Sequence, residues 1–141
     1  VAGDLPARVL VRLTALLYEA MLLVALLAAA TALFIAVAGD SRQPPMRYVL
    51  QFGLVVVAGA YFVWFWSADR QTLPMRTWRL HLTDLAGRPL DPMRAALRFV
   101  FAAVGCLAGG TTFLWAFVDP QRQFLHDRLA RTRLVRRLPA P

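Results

Sequence analysis

The sequence predicts an all-α polytopic membrane protein. Two antiparallel transmembrane helices are followed by a third hydrophobic segment, either a re-entrant hairpin or a single span, and residues 77–83 and 131–137 are candidates for a small extramembrane β-hairpin. Three observations predict this. Hydrophobic residues make up 59% of the 141 positions and charged residues only 17%, too apolar for an ordinary soluble domain of this size. Runs of about 18 or more apolar residues read as membrane spans, and residues 10–38, 48–66 and 99–118 qualify or nearly so. Most of the arginines lie outside these runs, in a loop at 67–98 and a tail at 119–141, so residues 1–141 read as a single membrane domain.

Helix 1 is expected to begin near Pro6, because GDLPAR offers Asp4 as a cap and a proline at a tolerated first-turn position. It should end at AGD, residues 38–40. Residues 10–37 would run about 42 Å against roughly 30 Å of hydrocarbon, so the helix is tilted or its first turns lie at the interface. AVAGD at 36–40 has the small-x-small pattern of a signal-peptide cleavage site, but the apolar run before it is about twice the usual length of a signal core, and it reads as a retained helix. Gly39, Pro44 and Pro45 then force a short connection, which makes helices 1 and 2 antiparallel neighbours. Ala28, Ala32 and Ala36 leave a smooth stripe on helix 1 for another backbone. Helix 2 closes on Tyr61, Trp64 and Trp66, residue types that anchor a span at the headgroups.

Residues 67–98 leave the membrane. Trp78, Leu80 and Leu82 alternate there with Arg79, His81 and Thr83, the period of a half-buried strand, and ARTRLVRRL in the tail could pair with it. Six arginines lie in 67–98 and six after residue 118, against two in 39–47. A single crossing by 99–118 would put one basic cluster on the non-cytoplasmic side, against the positive-inside tendency. A hairpin breaking at Gly109-Gly110 would keep both clusters cytoplasmic, each arm of ten residues reaching about 15 Å. Both forms remain open, with the hairpin slightly favoured. Gly105 and Gly109 also form a GxxxG pair, suited to close contact with helix 1 or another copy.

All sixteen basic residues are arginine, and the net charge is +8. Because these cations flank apolar spans, membrane topology and anionic lipid headgroups account for them better than nucleic acid does. The expected partners are the lipid bilayer, anionic headgroups, and either further copies of the chain or other membrane-protein subunits, with no nucleic acid. The single cysteine, Cys106, excludes an internal disulfide and a cysteine-based metal site, and is expected to be packed and inert. The sequence has no glycine-rich phosphate loop, nucleophile elbow, paired carboxylates or HExxH spacing. The expectation is no metal, no cofactor, no catalytic residue and no enzyme.

An arginine heads helix 1 with an acid in its middle. RQTLPMRTWRLHLTDLAGRPLDPMRAALR and then PQRQFLHDRLARTRLV follow in order. Over about residues 8–136 this resembles the RDD family of small bacterial membrane proteins. That family is named for one arginine and two aspartates, the arginine at the start of the first helix and the first aspartate within it. Arg12 matches the arginine, Glu19 occupies the place of the first aspartate, and the second is placed at Asp127. The family's frequent GQTLGK is RQTLPM here, which lacks a glycine and a basic residue. The resemblance implies a multi-pass protein of the bacterial inner, or plasma, membrane, for which ion or solute transport has been suggested.

With an apolar core at 14–34, Glu19 lies about 7 or 8 Å below the hydrocarbon surface, where an acid favours a partner or a neutral form. Glu19 and Arg12, seven residues earlier on the same face, are the candidates for an ion or proton site. The structural alternative pairs Glu19 with a basic residue from the headgroup edge, Arg94 or Arg98. Arg98, Asp127 and His126 are the structural or pairing candidates. His81 and His126 are both expected in water, with ordinary solvated rings. Two functions follow as expectations. The first is cation, proton or small-solute transport as an oligomer, since two or three spans are too few to enclose a polar path. The alternative is a non-catalytic accessory or scaffold subunit of a larger membrane complex.

Overall fold

The computed structural model describes residues 4–6, 8–40 and 42–137. Helices α1 (Val9–Ala38) and α2 (Met46–Trp66) are both long and apolar enough to cross a bilayer. α1 ends where Gly39 takes φ 81°, a left-handed conformation that glycine adopts without strain, and its amide returns to Ile35 O. The expected start near Pro6 is corrected. Asp4–Pro6 is a strand, β1, at the edge of a sheet, a place where proline's missing N–H is tolerated, and the helix begins only at Val9.

After α2 comes a short helix, α3 (Leu73–Thr77), and then β2 (Leu80–Asp84). The third hydrophobic segment is broken. Its helix α4 (Pro92–Leu107) opens with the Asp91 side chain accepting from Arg94 N and with Pro92 in the first turn. Gly109 and Gly110, at φ 76° and 77°, then swing the chain through 103° into α5 (Thr111–Leu114) and a 3-10 turn, Trp115–Phe117. A last short helix, α6 (Leu125–Leu129), leads to β3 (Thr132–Arg137). The α3–β2 and α6–β3 units are alike. Each has a five-residue helix, a two-residue link ending in a left-handed arginine (Arg79, φ 54°; Arg131, φ 53°), and a strand.

The sheet is antiparallel in the order β1-β3-β2, with Leu82 opposite Leu134 and Thr83 opposite Arg133. The two segments expected to pair therefore do so, but not as a hairpin, because α4, α5 and α6 lie between them in sequence. The all-α expectation is corrected to a mostly helical fold with a three-stranded sheet. Three residues of β1 are too few to show an alternating period, so no pattern announces the strand.

The core lies where the first turns of α1 meet the sheet. Ala15, Met75, Leu80, Leu82, Leu90 and Leu134 are buried there, with Val11, Trp66 and Trp78 packed against them. α2 packs on α1 and on α4, while α1 and α4 make no comparable contact. A Cβ on Gly59 would stand 3.1 Å from Phe99, so α2 and α4 are in close approach. Ala28, Ala32 and Ala36 are exposed, and none of the described residues covers the stripe they form.

The glycines of the third segment serve a different purpose from the helix contact expected of a GxxxG pair. A Cβ on Gly105 would lie 2.5 Å from Cβ of Thr112, so Gly105 makes room for the returning arm, and Gly109 supplies the turn itself. Gly105→Ala should therefore cost about 1–3 kcal/mol through overpacking. Gly53→Ala, within α2 with nothing within 4 Å, should be neutral or stabilise by up to about 1 kcal/mol. Thermal melts of the two variants in detergent test this, and equal midpoints would rule out the Gly105–Thr112 contact.

Candidate functional site

Sequence-distant charges meet below the core. Asp127, on α6, is fully buried. Arg98 of α4 donates from Nε to its Oδ1 at 2.8 Å, with Nη2 2.7 Å from the same oxygen, and the guanidinium lies 4.0 Å from the centre of the Trp66 ring. Arg12, buried on the first turns of α1, brings Nη1 to 3.9 Å from Oδ2 of Asp127. It also donates to Arg122 O at 3.2 Å and to Leu134 O at 3.1 Å. One arginine thus ties α1 to β3 and to the loop before α6. Burial raises the pKa of Asp127, but Arg98, His126 and Arg12 outweigh that effect and hold the carboxyl below its ordinary range.

His126 is buried beside this pair, which corrects the expectation of a solvated ring. Thr112 of α5 accepts from His126 N at 3.1 Å, and its hydroxyl lies 2.7 Å from Nδ1. Nε2 is 3.5 Å from the Asp127 carboxylate. A lone pair facing that anion would be repelled, so Nε2 carries the proton and the Thr112 hydroxyl donates to Nδ1. Burial lowers the pKa of the ring to about 4, and the imidazole is neutral at pH 7. Neither the sequence pattern nor composition signalled this. A histidine beside an aspartate on a short helix looks solvated until Thr112 is folded back over it.

Glu19 is placed elsewhere. Its Oε1 accepts from Tyr61 OH at 2.8 Å and its Oε2 from Thr72 Oγ1 at 2.6 Å. The expected partnership with a basic residue is corrected, because Arg98 is held by Asp127 and Arg94 stands 3.8 Å from Asp84. Sequence reasoning missed Tyr61 and Thr72. Thr72 carried a readable signal, since Thr-Leu-Pro is a helix-start pattern and its Oγ1 does accept from Met75 N at 3.4 Å. Of the aromatic residues taken as anchors, Trp64 is exposed, while Tyr61 and Trp66 turn inward to Glu19 and Arg98. Cys106, expected to be packed, is exposed.

A cavity of about 480 Å³ fills the gap between α1 and α4. Its walls are mostly apolar, Leu16, Leu23, Phe62 and Phe99 among them, and Arg12, Glu19, Arg98 and His126 supply the polar groups. Among the described residues, no group of three or more His, Cys, Asp or Glu side chains is gathered as metal ligands.

The family model for the RDD family matches residues 6–131, most of the chain. The chain belongs to the RDD family. No curated protein and no solved structure matches it. Arg12 and Asp127, which the sequence resemblance sets at the family's arginine and second aspartate, meet in one buried cluster, whereas Glu19 is bonded elsewhere.

The His126 environment gives a pH dependence of stability. The folded pKa, near 4, is below the ordinary 6.5, so between those values the unfolded chain binds more protons and stability falls as the pH drops. The loss by pH 4 should be on the order of 3 kcal/mol. His126→Gln should flatten that part of the profile. Denaturant melts at pH 7 and pH 4.5 check this, and parallel losses in parent and variant would show that the titrating group lies elsewhere.

Proposed function

We propose that this RDD-family chain moves a cation or proton as part of an oligomer, with Glu19 as the exchanging group. The observation that carries this reading is the bonding of Glu19. A carboxylate held by two neutral hydroxyls, with no ion pair among the described residues, lines a cavity inside an apolar bundle. Such a group is a favourable site for a cation or a proton. Arg12 lies about 10 Å away along the same helix and opposes double occupancy. The apolar stretches of α1 and α2 beyond Glu19 offer no polar path in a single copy, and the gap between α1 and α4 leaves space for a wall supplied by a neighbour. The chain acts without catalysis, in the bacterial inner membrane.

A second reading, a non-catalytic accessory subunit, is favoured by the Arg12–Asp127–Arg98 cluster. Its groups hold elements together and are far from free to move. Glu19→Gln separates the two, because it keeps the shape and removes the charge. Transport predicts parent flux in proteoliposomes and at least a tenfold loss in the variant, with oligomer size unchanged. Parent-level flux in the variant would eliminate Glu19 as the exchanging group, and absent flux in both with altered assembly would favour the accessory role.

The reading includes a topology in which α1 and α2 cross and the third segment dips in and returns. It is supported by β2 and β3, which flank that segment in sequence and pair in one sheet, and by the basic loop and tail. In a Cys106→Ser background, cysteines at Ala86 and Gln121 should be labelled only after the cytoplasmic face is opened. A cysteine at Asp40 should be labelled in intact cells. Opposite accessibility of Ala86 and Gln121 would mean three simple spans.

A further inference from the structure

A second cavity, of about 720 Å³, lies on the other side of the Arg12 cluster. Three walls form it: the start of α1 (Arg8, Val9, Leu10), residues of β2 and β3 (Thr83, Asp84, Arg133, Val135) and the loop Pro120–Gln123. Its charge is one-sided. Asp84 accepts from Arg88 Nε at 3.0 Å and from the amides of Ala86 and Arg88, each at 2.8 Å, so its charge is already balanced. Arg8, Arg122 and Arg133 enter no ion pair among the described residues.

The loop carrying Arg122 is preset. Asp119 accepts from the amides of Gln121 at 3.1 Å and Gln123 at 3.0 Å, and Arg12 holds Arg122 O. Arg122 itself sits at φ 52°, a conformation that only fixed surroundings maintain in a residue with a side chain. A cleft ordered before its ligand arrives loses little entropy on binding.

The apolar rim identifies the ligand class. Leu10, at the edge of the cleft, is 76% exposed, and Leu17 and Val24 follow at heptad spacing, 66% and 67% exposed. On a helix that spacing makes one face, so an uncovered apolar track runs from the arginines along α1. We propose that the cleft binds the headgroup of an anionic phospholipid, its phosphate among Arg8, Arg122 and Arg133 and an acyl chain along Leu10, Leu17 and Val24. The proposal rests on the membrane reading of α1, though not on transport through Glu19. A soluble phosphate would have no use for the track, and nucleic acid would be excluded by hydrocarbon at the same rim.

The test uses the full chain in mild detergent, equilibrated with equal amounts of phosphatidylglycerol and phosphatidylcholine, with retained lipid counted by native mass spectrometry. The parent should prefer phosphatidylglycerol, and the preference should fall by about fivefold per arginine lost in R8Q, R122Q and R133Q. Arg8→Gln carries the test if R122Q or R133Q does not fold. Glu19→Gln and the distal pair R42Q/R47Q should keep the parent preference. Equal loss in R42Q/R47Q would mean general surface charge, and an unchanged preference in R8Q and R133Q would place the lipid elsewhere. Displacement of the lipid by millimolar inorganic phosphate would make the cleft a site for free phosphate. Each of these three results overturns the proposal.

Discussion

The constraint on which the rest of the structure depends is the burial of Asp127 between two guanidiniums. A carboxylate removed from water is tolerated only with compensating charge and hydrogen bonds. Here the compensation comes from Arg98 on α4, while Arg12 on α1 stands 3.9 Å from the second oxygen. Three elements far apart in sequence are therefore fixed relative to one another. A buried pair of this kind adds little net stability against an apolar alternative, but removing one partner costs about 3–5 kcal/mol. Separating α1, α4 and α6 from this arrangement would leave Asp127 a buried charge without its partners.

From that arrangement the third segment follows. If Arg98 is held at the head of α4 and Asp127 just beyond the returning arm, the chain between them must come back to where it began. Gly109 and Gly110 permit the turn, and Gly105 lets Thr112 approach. Thr112 then caps the imidazole of His126, which completes the polar lining beside Asp127. The pairing of β2 with β3 closes the same loop from outside. The contact between Gly105 and Thr112 packs the returning arm against α4 at this break.

Much of this was legible in the sequence because it depends on local pattern. Hydropathy gave α1 and α2, alternation at 78–83 gave β2, and Gly109-Gly110 gave the break. What remained hidden depends on contacts between distant residues. Tyr61 and Thr72 lie 42 and 53 positions from Glu19, and no periodicity links them. His126 read as solvated because its burial is imposed by Thr112, which reaches it only after the 103° bend. The arginines were seen as flanking charges, and charge counting cannot tell Arg12 and Arg98, which are buried, from Arg8 and Arg122, which line an open cleft.

The two halves of the polar chemistry are separated by bonding as well as by position. The Arg12 cluster is bonded to the protein on several sides and holds both the sheet and the Arg122 loop, so it acts as a frame. Glu19 is held by two neutral hydroxyls at the wall of a cavity. Its length matters to that arrangement. An aspartate, shorter by one methylene or about 1.5 Å, would not reach both Tyr61 on α2 and Thr72 at the cap of α3 from the same backbone position. The glutamate found where the family resemblance places an aspartate is therefore matched to these two hydroxyls. They fix the carboxyl group at the wall of the cavity.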